Sequence, residues 1–517
     1  MRKLKILWTD DEIDILKPHI IFLEHKGFEV TTSTNGTDTI ELVNKEQFDI
    51  IFLDEMMPGL SGLETLDKIK KIIPDTPVVM ITKSEEENIM DDAIGGKISD
   101  YLIKPINPNQ ILLIIKKNIN TQQLVSKKTI STYQSVFAMI SSEINNSNSF
   151  TDWVNIYKKL VYWDLELNAQ NDKSINDVLK MQMEEANIGF AKFIKKNYTS
   201  WFDNSKEKPL MSPNLYKERI LPLLNKGEKV FVLVIDCLRY DQWKGIYSLI
   251  NEYFKIDSEE LFCSILPTTT QYSRNSIFAG LMPYDINKLY PQLWLNDEDE
   301  GGKNQYEEQL LEKQISRFSK NIKYNYEKIT NLQAGNKITD NISNLLTNNL
   351  NVLVYNYIDM LSHARTDVDT IKELANDEPA YRSVTLSWFK HSSLFTLIKE
   401  LKDKNVKIII TTDHGTKKVK TPIKVIADKN TSTNLRYKNG KNLNYKEKDV
   451  FAIDNPESIR LPKSHISTKY IFATNNSYLI YPNNYNYYAN YYNNTFQHGG
   501  ISMEEMLIPF VQLSANK

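Results

Sequence analysis

The sequence predicts an α/β protein in three segments: a doubly wound domain over residues 1–120, a three-helix linker bundle over 121–205 and a larger α/β domain over 206–517. Three observations predict this. In the first segment short β-branched runs alternate with helical patterns, which implies a parallel sheet with helices on both faces. The middle segment has no proline and one glycine, Gly189, and its apolar residues recur at helical spacing. The last segment returns to strand–helix alternation, with continuous apolar runs expected of strands buried on both faces.

Taken in order, strands are expected at Lys5–Trp8, Phe28–Thr32, Asp49–Leu53, Pro77–Ile81 and Tyr101–Ile103, with helices between them. In the linker, Tyr133, Val136, Phe137 and Ile140 make one helical stripe, and Trp153, Ile156, Leu160, Trp163 and Leu167 a second. The run Asn145–Ser149 reads as a turn with Thr151 as helix cap, and Ile175–Phe193 reads as the third helix. The aromatic residues of these stripes are expected to be core. In the last segment Val230–Ile235, Val352–Ile358 and Ile408–Thr411 read as central strands. Polar insertions are expected near Asp297–Asn304 and Lys429–Lys448, and the Asn- and Tyr-rich stretch Asn475–Asn494 as a surface loop.

Composition narrows the function classes. With 41% hydrophobic and 25% charged residues, the 517-residue chain is ordinary globular protein. Lys+Arg 63 against Asp+Glu 65 gives a net charge of -2, so bulk electrostatics do not favour DNA binding, and no basic recognition helix is evident. Two cysteines, Cys237 and Cys263, supply neither a disulfide framework nor a cysteine zinc module. Acids at Asp10, Asp11 and Glu12 interrupt the first apolar run too soon for a signal peptide, and no apolar run approaches the ~18 residues that span a bilayer. A cytoplasmic protein without membrane insertion is expected. Neither glycine-rich nucleotide fingerprint occurs.

Reactive groups gather where such sheets end. Asp10 and Asp11 follow the first strand, Asp54 ends the third, Thr82 the fourth, and Lys104 the fifth. At the carboxyl ends of a doubly wound sheet these positions converge. Three neighbouring carboxylates repel one another, and Mg2+ suits such an all-oxygen site. Asp54 is then placed to attack a phosphoryl group, with Lys104 neutralising charge and Thr82 bonding a phosphoryl oxygen. Leu53-Asp54-Glu55-Met56-Met57-Pro58-Gly59 and Lys104-Pro105 resemble the receiver domain of bacterial response regulators. The resemblance implies Asp54 as phosphoacceptor, Asp10 and Asp11 as metal-site acids, Thr82 as switch residue and Tyr101 as the aromatic that moves with it. Glu55 stands where that family has an apolar residue, and its side chain is expected to point away from Asp54.

A second constellation lies in residues 206–517. Asp236 ends a strand; Asp359 and His363 follow another; Asp413-His414-Gly415 follows a third; His498 precedes two glycines. Thr268-Thr269-Thr270 leads into a helical stretch. Imidazoles with carboxylates suit Zn2+, and six such ligands plus a hydroxyl are enough for two ions. His19, His25, His391 and His465 are taken as structural. The constellation resembles the alkaline phosphatase superfamily, and within it the PglZ branch. That resemblance implies one zinc held by Asp236, Asp413, His414 and the nucleophile, and a second held by Asp359, His363 and His498. It implies Thr270 as the nucleophile, with Thr269 as the alternative, and a phosphothreonine intermediate. Arg274 and Asn275, one turn later, are candidate phosphate contacts.

Receiver, helical linker and PglZ domain in this order resemble the PorX-like response regulators tied to type IX secretion. The implied function is a two-component regulator whose phosphorylation at Asp54 controls a zinc-dependent phosphodiesterase acting on nucleotide-like phosphodiesters. Implied partners are a sensor histidine kinase, a sigma factor or secretion components, and a second copy of the chain in a phosphorylation-dependent homodimer. The fourth helix, fifth strand and fifth helix of the receiver are the expected dimer surface. The alternative is a metal-stabilised platform that binds a sigma factor or secretion components without catalysis.

Overall fold

The first apolar runs become five parallel strands, β1 Lys5–Thr9, β2 Glu29–Ser33, β3 Ile50–Asp54, β4 Val78–Thr82 and β5 Asp100–Ile103, in the order β2-β1-β3-β4-β5. The computed structural model describes residues 3–83, 98–119, 121–169, 173–203, 208–318, 321–428 and 431–516. The fourth helix expected for the dimer surface lies outside these residues. Because side chains alternate across a strand, Ile6, Trp8, Ile50, Phe52, Val79 and Ile81 join one core with Leu23 and Ile111. Their neighbours Leu7, Ile51, Leu53, Val78 and Met80 join the other with Val43, Leu66 and Ile69. Helices Lys17–His25 and Pro108–Ile119 thus cover one face, and Gly36–Lys45 and Gly62–Ile72 the other. Ser61 and Glu64 form a capping box that starts the helix after β3.

The chain divides into two compact units, Met1–Gln134 and Ser135–Lys517. Helices Thr121–Asn146, Phe150–Asn168 and Lys173–Asn197 are those the stripes predict. The cap of the second is Ser149 rather than Thr151: its side chain accepts from Asp152 N, and the Asp152 carboxylate answers at the Ser149 backbone. Gly189 is explained by Trp153, whose Cη2 would lie 2.5 Å from an added Cβ. The last two helices are integral to the second unit. Tyr198 Oη accepts from Leu266 N at 2.8 Å, and Asn187 Oδ1 accepts from Met503 N at 2.9 Å.

The second unit is built on a six-stranded sheet. Its order is Phe254–Cys263, Leu507–Ala515, Lys407–Thr411, Val230–Ile235, Leu350–Tyr355, Tyr324–Ile329. The last four are parallel, and the first two are antiparallel to their neighbours. Every residue of Val230–Ile235 and Leu350–Tyr355 is buried. Two expectations need correction. The run Val352–Ile358 is not one strand; it ends at Tyr355, and Tyr357 begins a helix to Asp367. Nor is Asn475–Asn494 a loop. Ser477–Ile480 is a strand paired with Thr421–Lys424, and Tyr485–Tyr492 is a helix with tyrosines stacked one turn apart. Asparagine content hid the buried Tyr478, Leu479 and Ile480.

Candidate phosphorylation site and metal centre

The receiver-like crevice forms at the carboxyl ends of β1, β3, β4 and β5. Asp10, Asp11 and Asp54 bring carboxylate oxygens within 4.8 Å of one another. Lys104 Nζ lies 2.8 Å from Asp10 Oδ2 and 2.8 Å from Asp54 Oδ1. Burial pushes the Asp54 carboxyl up to about 6, the Lys104 ammonium opposes this, and Asp10 adds repulsion. A divalent cation beside these acids would favour the ionised, nucleophilic form of Asp54. Tyr101 is 40% exposed on β5. Glu55 does not point away from the site as expected: Thr82 Oγ1 donates to Glu55 Oε2 at 2.8 Å. Residues beside one another on neighbouring strand ends can meet when the side chain is long enough, and glutamate is.

In the second unit, the strand Val230–Ile235 delivers Asp236, and Lys407–Thr411 delivers Asp413 and His414. Cys237 follows in the left-handed region at φ 70°. Few non-glycine residues adopt it without a local reason; here the turn directs Cys237 N toward Asp413 Oδ1 at 3.4 Å. Asp236, Asp413 and His414 form one compact group of ligand atoms. His414 Nδ1 faces Gly415 O at 3.1 Å, which leaves Nε2 toward the group, 3.6 Å from Asp413 Oδ2.

Asp359, His363 and His498 form the second group. Asp359 and His363 stand one turn apart on helix Tyr357–Asp367, with His363 Nε2 and His498 Nε2 at 3.5 and 3.6 Å from Asp359 Oδ1. The rings of His414 and His498 stack with centroids 4.3 Å apart, so the two groups adjoin. Burial pushes the Asp236 and Asp359 carboxyls up to about 6 and raises Asp413, while it lowers the His414 and His498 imidazoles. Asp359 Oδ1, Asp413 Oδ2 and His498 Nδ1 are buried without a hydrogen-bond partner among the described residues. Such atoms are uncommon. Neutral imidazoles and repelling carboxylates of this kind are a donor set that fits divalent cations.

The three threonines divide their tasks. Thr268 Oγ1 accepts from Gly499 N and donates to Gly500 O, tying the segment to the loop after His498. Thr269 is 6% exposed and its hydroxyl has no partner among the described residues. Thr270 Oγ1 alone of the three reaches the ligands, at 3.2 Å from His414 Nε2 and 3.5 Å from Asp236 Oδ1. It opens the helical stretch that continues as Asn275–Ala279.

Arg274 and Asn275, the candidate phosphate contacts, are also bonded to protein groups around the site. Both are buried. Arg274 Nη1 binds Asp236 Oδ2 at 2.6 Å and its Nε binds Glu307 Oε1 at 2.6 Å; Asn275 donates to Lys303 O. Glu307, which no motif marked, also accepts from Tyr326 and Asn304. One of two adjacent glutamates at a helix start carries no sequence signal of this. His465 bonds Ser467 in an exposed loop, and His19 bonds Ile106 O, as structural histidines.

Residues 215–513 match the family described as BREX system PglZ alkaline phosphatase-like domain, which is more than half the chain. The chain belongs to the PglZ family. Ahead of the PglZ domain, residues 6–116 match the response regulator receiver domain and 123–202 the PorX response regulator linker domain. Together they make the architecture of a PorX-like response regulator. Among curated proteins, the receiver is similar to a transcriptional regulatory protein, CpxR homolog, of Haemophilus influenzae, 36% identical over 114 residues, covering 22% of this chain and 48% of that protein. It is also similar to the uncharacterized transcriptional regulatory protein YkoG of Bacillus subtilis, 35% identical over 118 residues, covering 22% and 51%. The chain thus spans about half the length of these curated relatives. A solved CheY-like receiver domain from Methanospirillum hungatei is 26% identical, covering 24% of this chain and 98% of that one, with a TM-score of 0.23. A receiver domain takes its phosphoryl group from a donor such as a histidine kinase. No helix among the described residues is long and apolar enough to cross a membrane.

Proposed function

We propose that this chain is a cytoplasmic two-component response regulator in which phosphorylation of Asp54 by a sensor histidine kinase controls a zinc-dependent phosphodiesterase in the PglZ domain. Its substrates are nucleotide-like phosphodiesters, and its biological output is regulation of type IX secretion. The secretion assignment rests on the resemblance of the architecture to PorX-like regulators. The enzymatic assignment rests on Thr270 Oγ1, 3.2 Å from His414 Nε2 and 3.5 Å from Asp236 Oδ1. A platform for a sigma factor or secretion components has no need of a hydroxyl among the ligands, whereas a phosphoryl-transfer site does.

In this reading Asp236, Asp413, His414 and Thr270 hold one zinc ion, and Asp359, His363 and His498 hold the other. Zinc there supplies positive charge that lowers the pKa of a bound hydroxyl and offsets the charge of phosphoryl oxygens. The Thr270 oxygen attacks phosphorus in line, forming the Thr270–phosphate ester as the bond to the leaving alcohol breaks. Water then cleaves that ester and restores the hydroxyl. Arg274 and Glu307 hold Asp236 in place throughout.

In the receiver, Asp10, Asp11 and Asp54 hold Mg2+, which supplies charge against the incoming phosphoryl oxygens. Asp54 attacks the phosphorus of the donor, and Lys104 Nζ, 2.8 Å from Asp54, pairs with the transferred group. Thr82 and Tyr101 report that change, and the phosphorylated chain forms a homodimer.

Elemental analysis with hydrolysis assays tests the enzymatic reading. About two zinc ions per chain are expected, with His363→Ala and His498→Ala each emptying one site. Diester hydrolysis should be lost with chelator and regained with Zn2+. Absence of transition metal from protein purified without chelator contradicts it.

A further inference from the structure

The helix that carries Asp359 and His363 also forms one wall of a cavity of about 310 Å3 that no part of the chemistry above uses. Tyr357 and Met360 line it from this helix, Trp388 from the end of helix Glu378–Lys390, Ile329 from the edge strand and Leu332 from the start of helix Leu332–Asp340. At about 100° per residue, and taking Asp359 as zero, His363 projects at about 40°, Met360 at about 100° and Tyr357 at about 160° around the helix axis. The cavity-lining residues Met360 and Tyr357 thus follow His363 around the helix by about 60° and 120°, with Met360 nearer the ligands. Met360 is 53% exposed.

The cavity wall is flat and aromatic. Tyr357 and Trp388 stack with centroids 4.5 Å apart and planes inclined by only 2°. This is an ordinary offset stack, and where such a pair borders a cavity its outer face is a surface on which a further ring can stack. Asn331, whose Oδ1 caps Ala334 N and whose amide NH2 remains a donor, lies in the same lining with His391 and Ser393. An alkyl group has no use for these polar groups, and a sugar has little for the flat wall. A planar heteroaromatic ring uses both, and the volume is in the range of small-molecule pockets.

We propose that this cavity is the subsite for a nucleobase of the diester substrate. The base extends the Tyr357–Trp388 stack and places its phosphate past Met360 at the metal centre. The proposal rests on the phosphodiesterase reading above and gives it a specificity determinant. Trp388 and Tyr357 position the substrate and take no part in bond making.

The test uses full-length, zinc-loaded, phosphorylated protein and two esters with the same leaving group, thymidine 5′-(p-nitrophenyl phosphate) and methyl p-nitrophenyl phosphate. Wild type should prefer the nucleoside ester in kcat/KM. Trp388→Ala should cut that preference about tenfold, mainly through KM, and Trp388→Phe should restore most of it. A purely structural Trp388 would lower both esters alike and leave the ratio unmoved, which overturns the proposal. Equal use of the two esters by wild type overturns it as well. If neither ester is hydrolysed, the phosphodiesterase reading fails, and titration calorimetry with thymidine 5′-monophosphate judges the cavity by itself. About tenfold weaker binding to Trp388→Ala supports the subsite, and equal binding overturns it.

Discussion

The hydroxyl of Thr82 donates to the carboxylate of Glu55 at 2.8 Å, one residue beyond the phosphoacceptor. A phosphoryl group on Asp54 would need the same hydroxyl, so Glu55 competes with it for the switch residue. Glu55→Met should therefore raise the dimer fraction of protein treated with beryllofluoride and Mg2+. A shift of about threefold to tenfold in the equilibrium is the expected size for one hydrogen bond. Sedimentation velocity measures it; an unchanged fraction would remove Glu55 from the switch.

Asp54 should be the sole acceptor of the receiver. Its two acidic neighbours are placed differently: Asp10 is fully buried with Oδ1 accepting from Glu12 N, and Asp11 is exposed. Labelling by a small acyl-phosphate donor with Mg2+ should disappear in Asp54→Ala. Undiminished labelling of that variant would place the phosphoryl group elsewhere.

Arg274 is a fully buried cation between Asp236 and Glu307. Arg274→Met removes the cation the two carboxylates share, leaving Glu307 with Lys328 Nζ at 3.5 Å as its cation, a loss of about 3–5 kcal/mol in comparable buried pairs. It should also weaken zinc at the Asp236 site by about 10- to 100-fold, because second partners orient first ligands. Thermal unfolding and zinc titration measure the two effects separately. Undisturbed zinc affinity in a folded variant would deny the bracing role.

Much of this was legible in the sequence because its signals were local. The strands of the first sheet are short runs of apolar and β-branched residues, weakest in Glu29–Ser33, and each reactive residue there sits at or just after a strand end, where topology forces convergence. The same holds for Asp236, Asp413 and His414. The remaining features depend on contacts distant in sequence. Glu307 meets Arg274 across 33 residues, and nothing near it marks the meeting. Glu55 was misread because strand-end alternation describes where a side chain starts, not how far a long one bends. The strand Ser477–Ile480 was hidden by flanking asparagines, although three of its four residues are buried and it pairs with Thr421–Lys424.

Asp241 supplies a pH dependence away from both centres. It is buried, with Arg239 Nη2 and Arg382 Nη1 each 2.7 Å from its carboxylate. Burial alone would raise this carboxyl; the two guanidinium groups outweigh it and hold it at about 2, against 3.8 in the free side chain. The unfolded chain then binds the proton first as pH falls. The contribution, on the order of 2 kcal/mol, is present above about pH 4 and lost as pH drops through about 2. In urea unfolding with chelator throughout, the gap between wild type and Asp241→Asn should be widest above pH 4 and narrow below it. A gap independent of pH would contradict the assignment.

The central claim is that Thr270 is a nucleophile among metal ligands, and diester hydrolysis by Thr270→Ala compared with Thr269→Ala tests it most directly. Both variants should retain the fold, and Thr270→Ala should keep most zinc through Asp236, Asp413 and His414. Hydrolysis by Thr270→Ala should fall by about 10² to 10⁴ or more, with residual attack by water. Thr269→Ala, whose hydroxyl touches no ligand, should be much milder. An active Thr270→Ala beside an inactive Thr269→Ala would move the nucleophile one residue earlier. Full activity in both zinc-loaded variants would contradict the account.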